Sequence, residues 1–377
     1  MNPAFDNALC RQVESVPELI RSLYPDIEPK ARYILTTPQI YSVKKVVLTG
    51  SGDCWCAALA AKRLFEKFLQ IPVDVVSPLD LARHYQMKWV GESPCDPLVI
   101  AMSVSGRAAR IVEAATRIHE HKALVIAVTG NADSPLAKAA DQVLELNIPA
   151  FGFAPGARSY AVMLMACCLL AIRFGEVRLK YPMDQANAYR KELLRFMNCL
   201  EQRLPDWKQA ALDYAERFRN AHSCEMVGSG YSYGSAWYAH EKMYEAAGVP
   251  ANCTDGENWF HVNYFLRDIS DVLTMVFAER QADTVSRDRE LVRRLGSMGR
   301  DFALVTDDPA LEAPYRFLLP ETEFGFLSPF LEWAPAALTA ACLASLRGET
   351  YSRGFEGIWK EGPDDPSTVN SEIQIFD

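Results

Sequence analysis

The chain has 377 residues, which is long for one domain and comfortable for two. Its composition gives a formal net charge of −9, and no basic run with interleaved aromatic residues occurs. This charge argues against a nucleic-acid partner. An anionic small substrate remains compatible, because local basic side chains and helix N-termini bind anions whatever the net charge.

The amino-terminal stretch lacks the basic and apolar regions of a signal peptide. The longest apolar stretches, residues 160–172 and 335–346, are too short or too interrupted for a membrane span and predict buried helices. The ten cysteines are scattered, and neither they nor the six histidines show metal-ligand spacing. We therefore expect a cytoplasmic protein with reduced thiols, no membrane partner, no metal site and no other cofactor.

Short apolar runs alternate with helical patterns along most of the chain, which predicts an α/β fold with parallel sheets covered on both faces. In the first half, strands are predicted at 46–49, 73–76, 98–103, 123–128 and 143–148, with helices at 54–68, 79–85, 108–119 and 159–174. Residues 184–221 have helical periodicity and predict a connecting helical pair. The second half predicts strands at 225–227, 251–254, 272–277, 302–306 and 315–319, with helices at 234–247 and near 335–346.

The two halves repeat one order of elements. Gly50 corresponds to Gly228 and Pro72 to Pro250 with the same offset of 178 residues. This correspondence favours a tandem duplication over two unrelated sheets that share a common turn. The predicted organisation is a helical segment at 1–40, a first domain at 41–180, a helical connector at 181–222, a second domain at 223–350 and a tail at 351–377.

Two turns of the first half are typical of an anion site. Gly50, Ser51 and Gly52 follow one strand, and a helix N-terminus with unpaired N–H groups comes directly behind them. Ser103, Ser105 and Gly106 follow another strand and also precede a helix. Each feature has a structural alternative: ordinary turn chemistry for the glycines, and helix capping for Ser105. The combination is more specific than either turn alone.

These residues resemble the sugar isomerase (SIS) domain, and the repeated arrangement resembles the isomerase half of glucosamine-6-phosphate synthase and the fructosamine-6-phosphate deglycases. The resemblance implies two tandem SIS domains, each with a five-stranded parallel sheet flanked by helices. It also implies a homodimer or higher homo-oligomer. It implies that a sugar phosphate is bound by the following residues of the first domain: Gly50, Ser51, Gly52, Ser103, Ser105 and Gly106.

The chain departs from this phosphate pattern at several positions. Gly52 and Ala108 stand where the synthase has hydroxyl residues, so we expect a thinner site or compensation by Arg107 or Arg158. Residues 276–280 of the second half lack the paired serines. We therefore expect one phosphate site per chain, in the first domain.

The second half carries the acid–base candidates. Lys242 and Glu245 lie at i and i+3 of a predicted helix, and His261 follows Glu245 by 16 residues. This separation resembles that between the catalytic glutamate and the ring-opening histidine of the two enzyme families. The resemblance implies Glu245 as general base, His261 in ring opening and Lys242 as oxyanion partner. The alternatives are a solvated Lys–Glu pair and a buried structural histidine.

The loop around His261 departs from the families as well. The Gly-Pro that usually follows the histidine is missing, and Glu257 is a rival base. The synthase's C-terminal lysine has no clear counterpart in the tail. Because Asn2 follows Met1, we expect no glutaminase nucleophile, and hence no ammonia from glutamine by that route.

The sequence thus predicts an enzyme that isomerises or deglycates (deaminates) a 6-phosphorylated ketose, aldose or amino-sugar adduct through an enediol or enolamine. The alternative is a non-catalytic phosphosugar-binding regulatory protein. A nucleotide-binding protein is disfavoured, because no phosphate-binding lysine motif and no complete dinucleotide fingerprint occur.

Overall fold

The protein divides into two compact units. The computed structural model describes residues 3–90, 97–362, 365 and 367–376, so Met1 and Asn2 lie outside the described residues. The first-sheet unit comprises Leu19–Ala150, Ser159–Lys191 and Gly354–Asp377. The second-sheet unit comprises Met1–Glu18, Phe151–Arg158 and Glu192–Arg353.

The first sheet has five parallel strands in the order β2-β1-β3-β4-β5. The central strands β1, β3 and β4 are buried along their whole length, as expected for a parallel sheet with helices on both faces. Their Val, Leu and Ile content suits this environment. The strands are β1 (Val46–Gly50), β2 (Val73–Val75), β3 (Leu98–Ser103), β4 (Leu124–Thr129) and β5 (Gln142–Glu145).

Helices of the first half follow the predicted alternation. One apolar core packs α4 and α5 against β1, β3 and β4, around side chains such as Leu81, Ile118 and Val125. The helices are α1 (Ala8–Tyr33), α2 (Thr37–Ser42), α3 (Asp53–Leu69), α4 (Pro78–Arg83), α5 (Ala109–Glu120), α6 (Pro135–Lys138) and α7 (Arg158–Val177).

Next comes α8 (Met183–Arg217), a single continuous helix of 35 residues where the sequence predicted a helical pair. The helix continues through Pro205 because one apolar stripe runs along it on both sides of the proline. The buried side chains of that stripe recur at alternating spacings of four and three: Leu193, Met197, Leu200, Leu204, Trp207 and Ala211.

The second sheet has the same topology as the first, with the order β7-β6-β8-β9-β10 and all strands parallel. Val46 pairs with Val73 in the first sheet, and Cys224 pairs with Ala251 in the second, which keeps the offset of 178 residues. The strands are β6 (Ser223–Gly228), β7 (Ala251–Thr254), β8 (Val272–Ala278), β9 (Phe302–Thr306) and β10 (Tyr315–Leu318). The α/β fold with two five-stranded sheets is confirmed, and the duplication stays a prediction.

The helices of the second half depart from the predicted pattern in two ways: the helices Gly256–His261 and Val285–Ser297 were not predicted, and one predicted helix changes its type along its length. The segment predicted as a single helix at 234–247 is an α-helix to Lys242 and a π-helical turn over Met243–Ala247. The helices are α9 (Tyr233–Lys242), α10 (Gly256–His261), α11 (Val285–Ser297) and α12 (Pro329–Arg347).

Two helices, α7 and α12, are long and apolar enough to cross a membrane by length and composition alone. In both, 89% of the apolar window is buried inside the protein. They contain the two apolar stretches that the sequence assigned to buried helices, and their burial confirms that assignment.

Candidate functional site

The glycines of the β1–α3 turn have two different roles. A Cβ added at Gly50 would lie 2.6 Å from the Cβ of Cys54, so glycine lets α3 start close behind the strand. Gly52 has a φ of +57° and open space around an added Cβ, so its glycine serves the backbone conformation. Gly228 and Gly230 divide the same two roles in the second sheet. Both turns are thus built alike.

The β3–α5 turn is rigid and closely packed. The Oγ of Ser103 accepts a 3.1 Å hydrogen bond from the backbone N–H of Gly106. Gly106 has a φ of +63°, and an added Cβ would lie 2.1 Å from the Oγ of Ser134. Ser105 is exposed, and its Oγ accepts a 3.3 Å bond from the N–H of Arg107. The turn therefore holds the side chain of Ser103 by an internal hydrogen bond, whereas the side chain of Ser105 is exposed.

Helix capping does not explain Ser105. Helix α5 begins at Ala109, and its N-cap residue is Ala108, which offers no side-chain cap. The first N–H groups of α5 must therefore donate their hydrogen bonds to acceptors other than an N-cap side chain.

The two turns share one cavity of about 850 Å³ within the first-sheet unit. Gly50 and Met102 are register partners of the adjacent strands β1 and β3, so both strands end side by side. This is the edge at which open parallel sheets bind ligands. Gly50 and Gly106 shape the turns. Hydroxyl side chains line the cavity: the predicted Ser51, Ser103 and Ser105, together with Ser159, Ser367, Thr368 and Ser371.

The last three of those hydroxyls belong to the C-terminal tail, which we define as residues 367–376. The tail packs along α5, on the same unit. The N–H of Ala109 donates a 2.8 Å hydrogen bond to the carbonyl of Thr368. Arg110 donates to the Oγ of Ser371 at 3.2 Å and to the carbonyl of Glu372. The N–H of Gln374 donates to Oε2 of Glu113 at 2.9 Å, and Nε of Arg117 donates to the carbonyl of Phe376 at 2.5 Å.

Among the described residues that line the cavity, two carry a charge, Asp53 and Arg110. Asp53 is the first residue of α3 and accepts a 3.4 Å bond from the Oγ of Ser159. Arg110, in the first turn of α5, pairs with Glu113. The cavity thus offers one cation, one carboxylate and many hydroxyls.

Neither of the cations that the sequence suggested for this site is among the described residues that line the cavity. Arg107 is exposed. Arg158 belongs to the second-sheet unit, where its guanidinium lies 4.4 Å from the ring centre of Phe151 and donates to the Oγ of Ser15 at 2.7 Å.

The carboxylate of Glu113 is fully buried and accepts hydrogen bonds from several neighbouring groups. Burial would raise its pKa, but hydrogen bonds from Arg83 and from the N–H of Gln374, with the charge of Arg110, hold the pKa below its ordinary value. Glu113 therefore stays ionised and keeps α5, α4 and the tail together.

Lys242 and Glu245 form an ion pair in the second-sheet unit. Lys242 is fully buried, and its ammonium group lies 5.0 Å from the ring centre of Tyr238. Glu245 is 42% exposed and lies in the π-helical turn. Such turns occur often at functional sites. The predicted pair exists, and its carboxylate is the accessible member.

Glu257 and His261 form a second pair. The Nε2 of His261 lies 3.1 Å from Oε1 of Glu257, and Glu257 also pairs with Arg287 at 2.7 Å. Both residues of the pair are exposed, so His261 is not the buried structural histidine of the alternative interpretation.

The Lys242–Glu245 pair and the Glu257–His261 pair lie toward opposite edges of the second sheet. Helix α9 starts behind the carboxyl edge of the sheet and runs back, so Glu245 lies about 18 Å along it from Tyr233. Helix α10 begins at Gly256, directly after β7, and Glu257 is in its first turn. Glu245 therefore lies toward the amino edge and Glu257 at the carboxyl edge.

The second sheet holds carboxylates where the first holds its anion turns. Glu332 is fully buried and accepts bonds from the Oγ of Ser232 at 2.9 Å and of Ser235 at 2.6 Å. Glu279 and Asp307, which follow β8 and β9, are also buried. Burial raises the pKa of both Glu279 and Glu332 to about 7. These carboxylates, when ionised, disfavour a phosphate at this edge; the expectation of one phosphate site per chain stays a prediction.

Sequence reasoning missed Asp53, Arg110, Ser159 and the tail hydroxyls. Arg110 lies only five residues beyond Ser105, in the first turn of α5, so its proximity in sequence could have pointed to it. The tail residues lie some 260 positions away from α5 and carry no local signal.

Comparison with known proteins agrees with the resemblance of the first half to the sugar isomerase domain. Residues 39–173 match the SIS domain. The chain is related to glutamine–fructose-6-phosphate aminotransferases: it is 26% identical over 325 residues to that of Symbiobacterium thermophilum, covering 83% of this chain and 51% of the relative. It is 26% identical over 221 residues to that of Methanosarcina mazei, covering 58% and 34%. The chain thus spans about half the length or less of these curated relatives.

Solved structures share the fold at low sequence identity. The C-terminal domain of glucosamine-fructose-6-phosphate aminotransferase from Francisella tularensis has a TM-score of 0.79 at 14% identity, covering 92% of this chain and 98% of that one. Tagatose-6-phosphate ketose/aldose isomerase from Escherichia coli has a TM-score of 0.75 at 18% identity, covering 93% and 96%. Glucosamine-6-phosphate deaminase from Thermotoga maritima has 0.68 at 15%, covering 92% and 96%.

Proposed function

We propose that the protein is an enzyme that binds a 6-phosphorylated sugar in the first-sheet cavity and isomerises or deglycates it through an enediol or enolamine. The observation that carries the proposal is the cavity itself. Serine hydroxyls on two adjacent strand ends meet there in front of two helix N-termini, which is an arrangement that favours a phosphate.

The other lining groups suit a sugar. Hydroxyls of Ser159 and the tail donate and accept hydrogen bonds, as the hydroxyls of a sugar do. The names of the related aminotransferases, isomerase and deaminase all refer to hexose phosphates, which supports this class of substrate.

The reaction moves a proton between C1 and C2 and therefore needs a general base near pH 7. We keep the predicted Glu245, with Lys242 as its partner, as the first candidate and Glu257 as its rival. Asp53 joins them, because its carboxylate lines the cavity. His261 remains the candidate for ring opening. A homodimer or higher homo-oligomer in the cytoplasm is part of the proposal.

Turnover tests the proposal. The protein is incubated with a panel of hexose 6-phosphates, hexosamine 6-phosphates and fructosamine 6-phosphates, and the products are followed by mass spectrometry. Glu245→Gln, Glu257→Gln and Asp53→Asn run in parallel. Glu120→Gln, at the exposed end of α5, is the control.

The expected result is conversion of at least one compound, with a loss of at least about a hundredfold in kcat for one of the three variants. The variant that loses activity identifies the base. Binding of a sugar phosphate without any turnover would instead establish the non-catalytic regulatory protein. Neither binding nor turnover across the panel would overturn the phosphosugar assignment.

A further inference from the structure

We propose that Arg110 supplies the positive charge that binds the phosphate in the first-sheet cavity. The inference rests on the proposed function and deepens it, because it assigns a residue to the anionic end of the substrate. Neither the sequence pattern nor the comparisons pointed to this residue.

The position of Arg110 is the first argument. It lies in the first turn of α5, directly behind the turn that carries Ser103 and Ser105, and its side chain lines the same cavity. Among the described residues that line this cavity, it is the one cation. A sugar phosphate carries up to two negative charges, and the net charge of −9 makes a local cation all the more valuable.

The second argument is an unused donor. Arg110 uses NH1 for Glu113, and NH2 for Ser371 and the carbonyl of Glu372. Its Nε is buried and has no hydrogen-bond partner within the described part of the structure. A buried donor without an acceptor costs stability, and a phosphate oxygen is an acceptor that arginine binds particularly well.

The third argument is that Arg110 can shift toward a ligand at little cost. Glu113 also receives bonds from Arg83 at 2.9 Å and from the N–H of Gln374 at 2.9 Å. If Arg110 turns its guanidinium toward a phosphate, Glu113 is still paired, and no buried charge is left alone. Glu113 and the tail thus position Arg110, and because Glu113 is also paired with Arg83, the positive charge of Arg110 is only partly neutralised.

The test measures binding by calorimetry. The probes are fructose 6-phosphate, glucose 6-phosphate and glucosamine 6-phosphate, and fructose is the phosphate-free control. The variants are Arg110→Met, which removes the charge, and Arg110→Lys, which keeps it. Arg63→Met removes an exposed charge on α3 that does not line the cavity and is the matched control.

For the best-bound probe, we expect Arg110→Met to raise Kd at least about tenfold, since a charge-assisted bond contributes that much. The salt dependence of binding falls with it. Arg110→Lys shows a smaller loss, and Arg63→Met stays within about twofold. Thermal unfolding confirms that each variant folds. If Arg110→Met does not fold, Arg110→Gln, which also removes the charge but keeps a hydrogen-bond donor, replaces it, and its affinity and salt dependence are compared with those of Arg63→Met.

The proposal is overturned if the Arg110 variants bind the probe as tightly as the original protein. The proposed function would stand in that case, provided that Ser105→Ala still weakens binding. If the original protein binds none of the three phosphates, the proposed function fails and this inference fails with it.

Discussion

The backbone N–H of Ala109 donates a 2.8 Å hydrogen bond to the carbonyl oxygen of Thr368. The donor is the first residue of α5, and the acceptor lies in the C-terminal tail. One of the first N–H groups of this helix is thereby satisfied by the tail, and the hydroxyls of the tail are brought to the cavity wall.

Removal of residues 362–377 is expected to weaken binding of the best sugar phosphate by about tenfold. The truncation removes three hydroxyls from the cavity and two of the groups that hold Arg110. Calorimetry measures the effect. Gln374→Ala is the control, because only the backbone of Gln374 bonds to Glu113. Unchanged affinity after truncation would show that the tail is not part of the site.

Alanine at Gly106 is expected to destabilise the protein far more than alanine at Gly52. Both glycines have a positive φ, a backbone conformation that costs alanine about 1–3 kcal/mol. At Gly106 the new Cβ also meets the Oγ of Ser134 at 2.1 Å, whereas Gly52 has open space. We expect more than about 3 kcal/mol at Gly106.

Urea unfolding measures both glycine variants. Ser134→Gly removes the two shortest contacts of the new Cβ, although it also removes the N-cap of α6. Gly106→Ala is therefore expected to cost less when it is made in the Ser134→Gly variant than when it is made in the original protein. Equal losses at the two glycines would mean that the β3–α5 turn is not packed as described.

Arg300 and Glu225 form a buried ion pair at 2.6 Å, with side chains 1% and 2% exposed. Arg300→Met leaves the carboxylate buried without its main partner and is expected to cost about 3–5 kcal/mol. The double variant Glu225→Met with Arg300→Met is expected to lose less. The exposed pair Arg63 and Glu66 is the control, with a change below about 1 kcal/mol for Arg63→Met. A double variant as unstable as Arg300→Met alone would contradict this account.

The buried carboxyl group of Glu332 makes the free energy of unfolding depend on pH. Burial raises its pKa to about 7, partly offset by the bonds from Ser235 and Ser232. Between the ordinary glutamate pKa of 4.5 and about 7, the folded protein binds more protons at this group than the unfolded chain. Its contribution to stability is therefore present at low pH and is lost as the pH rises through 7.

Glu332→Gln removes this dependence. We expect the stability difference between the variant and the original protein to shift in favour of the variant by up to about 1.4 kcal/mol per pH unit from pH 5 to 7. Urea unfolding across this range measures it. Glu323→Gln, an exposed carboxylate, serves as control. A difference that is independent of pH would show that Glu332 titrates normally.

The sheets could be predicted from the sequence because their central strands are short apolar runs that alternate with helical patterns. The predicted strands at 98–103, 251–254 and 302–306 coincide with β3, β7 and β9. Local patterns also identified Ser51, Ser103 and Ser105, since these residues directly follow strands.

Features that depend on distant packing could not be predicted. The π-helical turn at Glu245 leaves no mark in the apolar spacing. The continuity of α8 through Pro205 follows from burial of a stripe, which overrides the local preference of proline. The tail reaches the cavity through contacts with α5 such as that between Gln374 and Glu113, more than 250 residues apart in sequence.

Hydrogen exchange followed by mass spectrometry tests the central claim most directly. The protein is labelled with and without the hexose 6-phosphates of the panel. The account predicts slower exchange at residues 51–56 and 103–112 on binding, with the phosphate-free sugars giving no such effect. Protection confined to other segments, or none with any sugar phosphate, would contradict the assignment of the first-sheet cavity as a phosphosugar site.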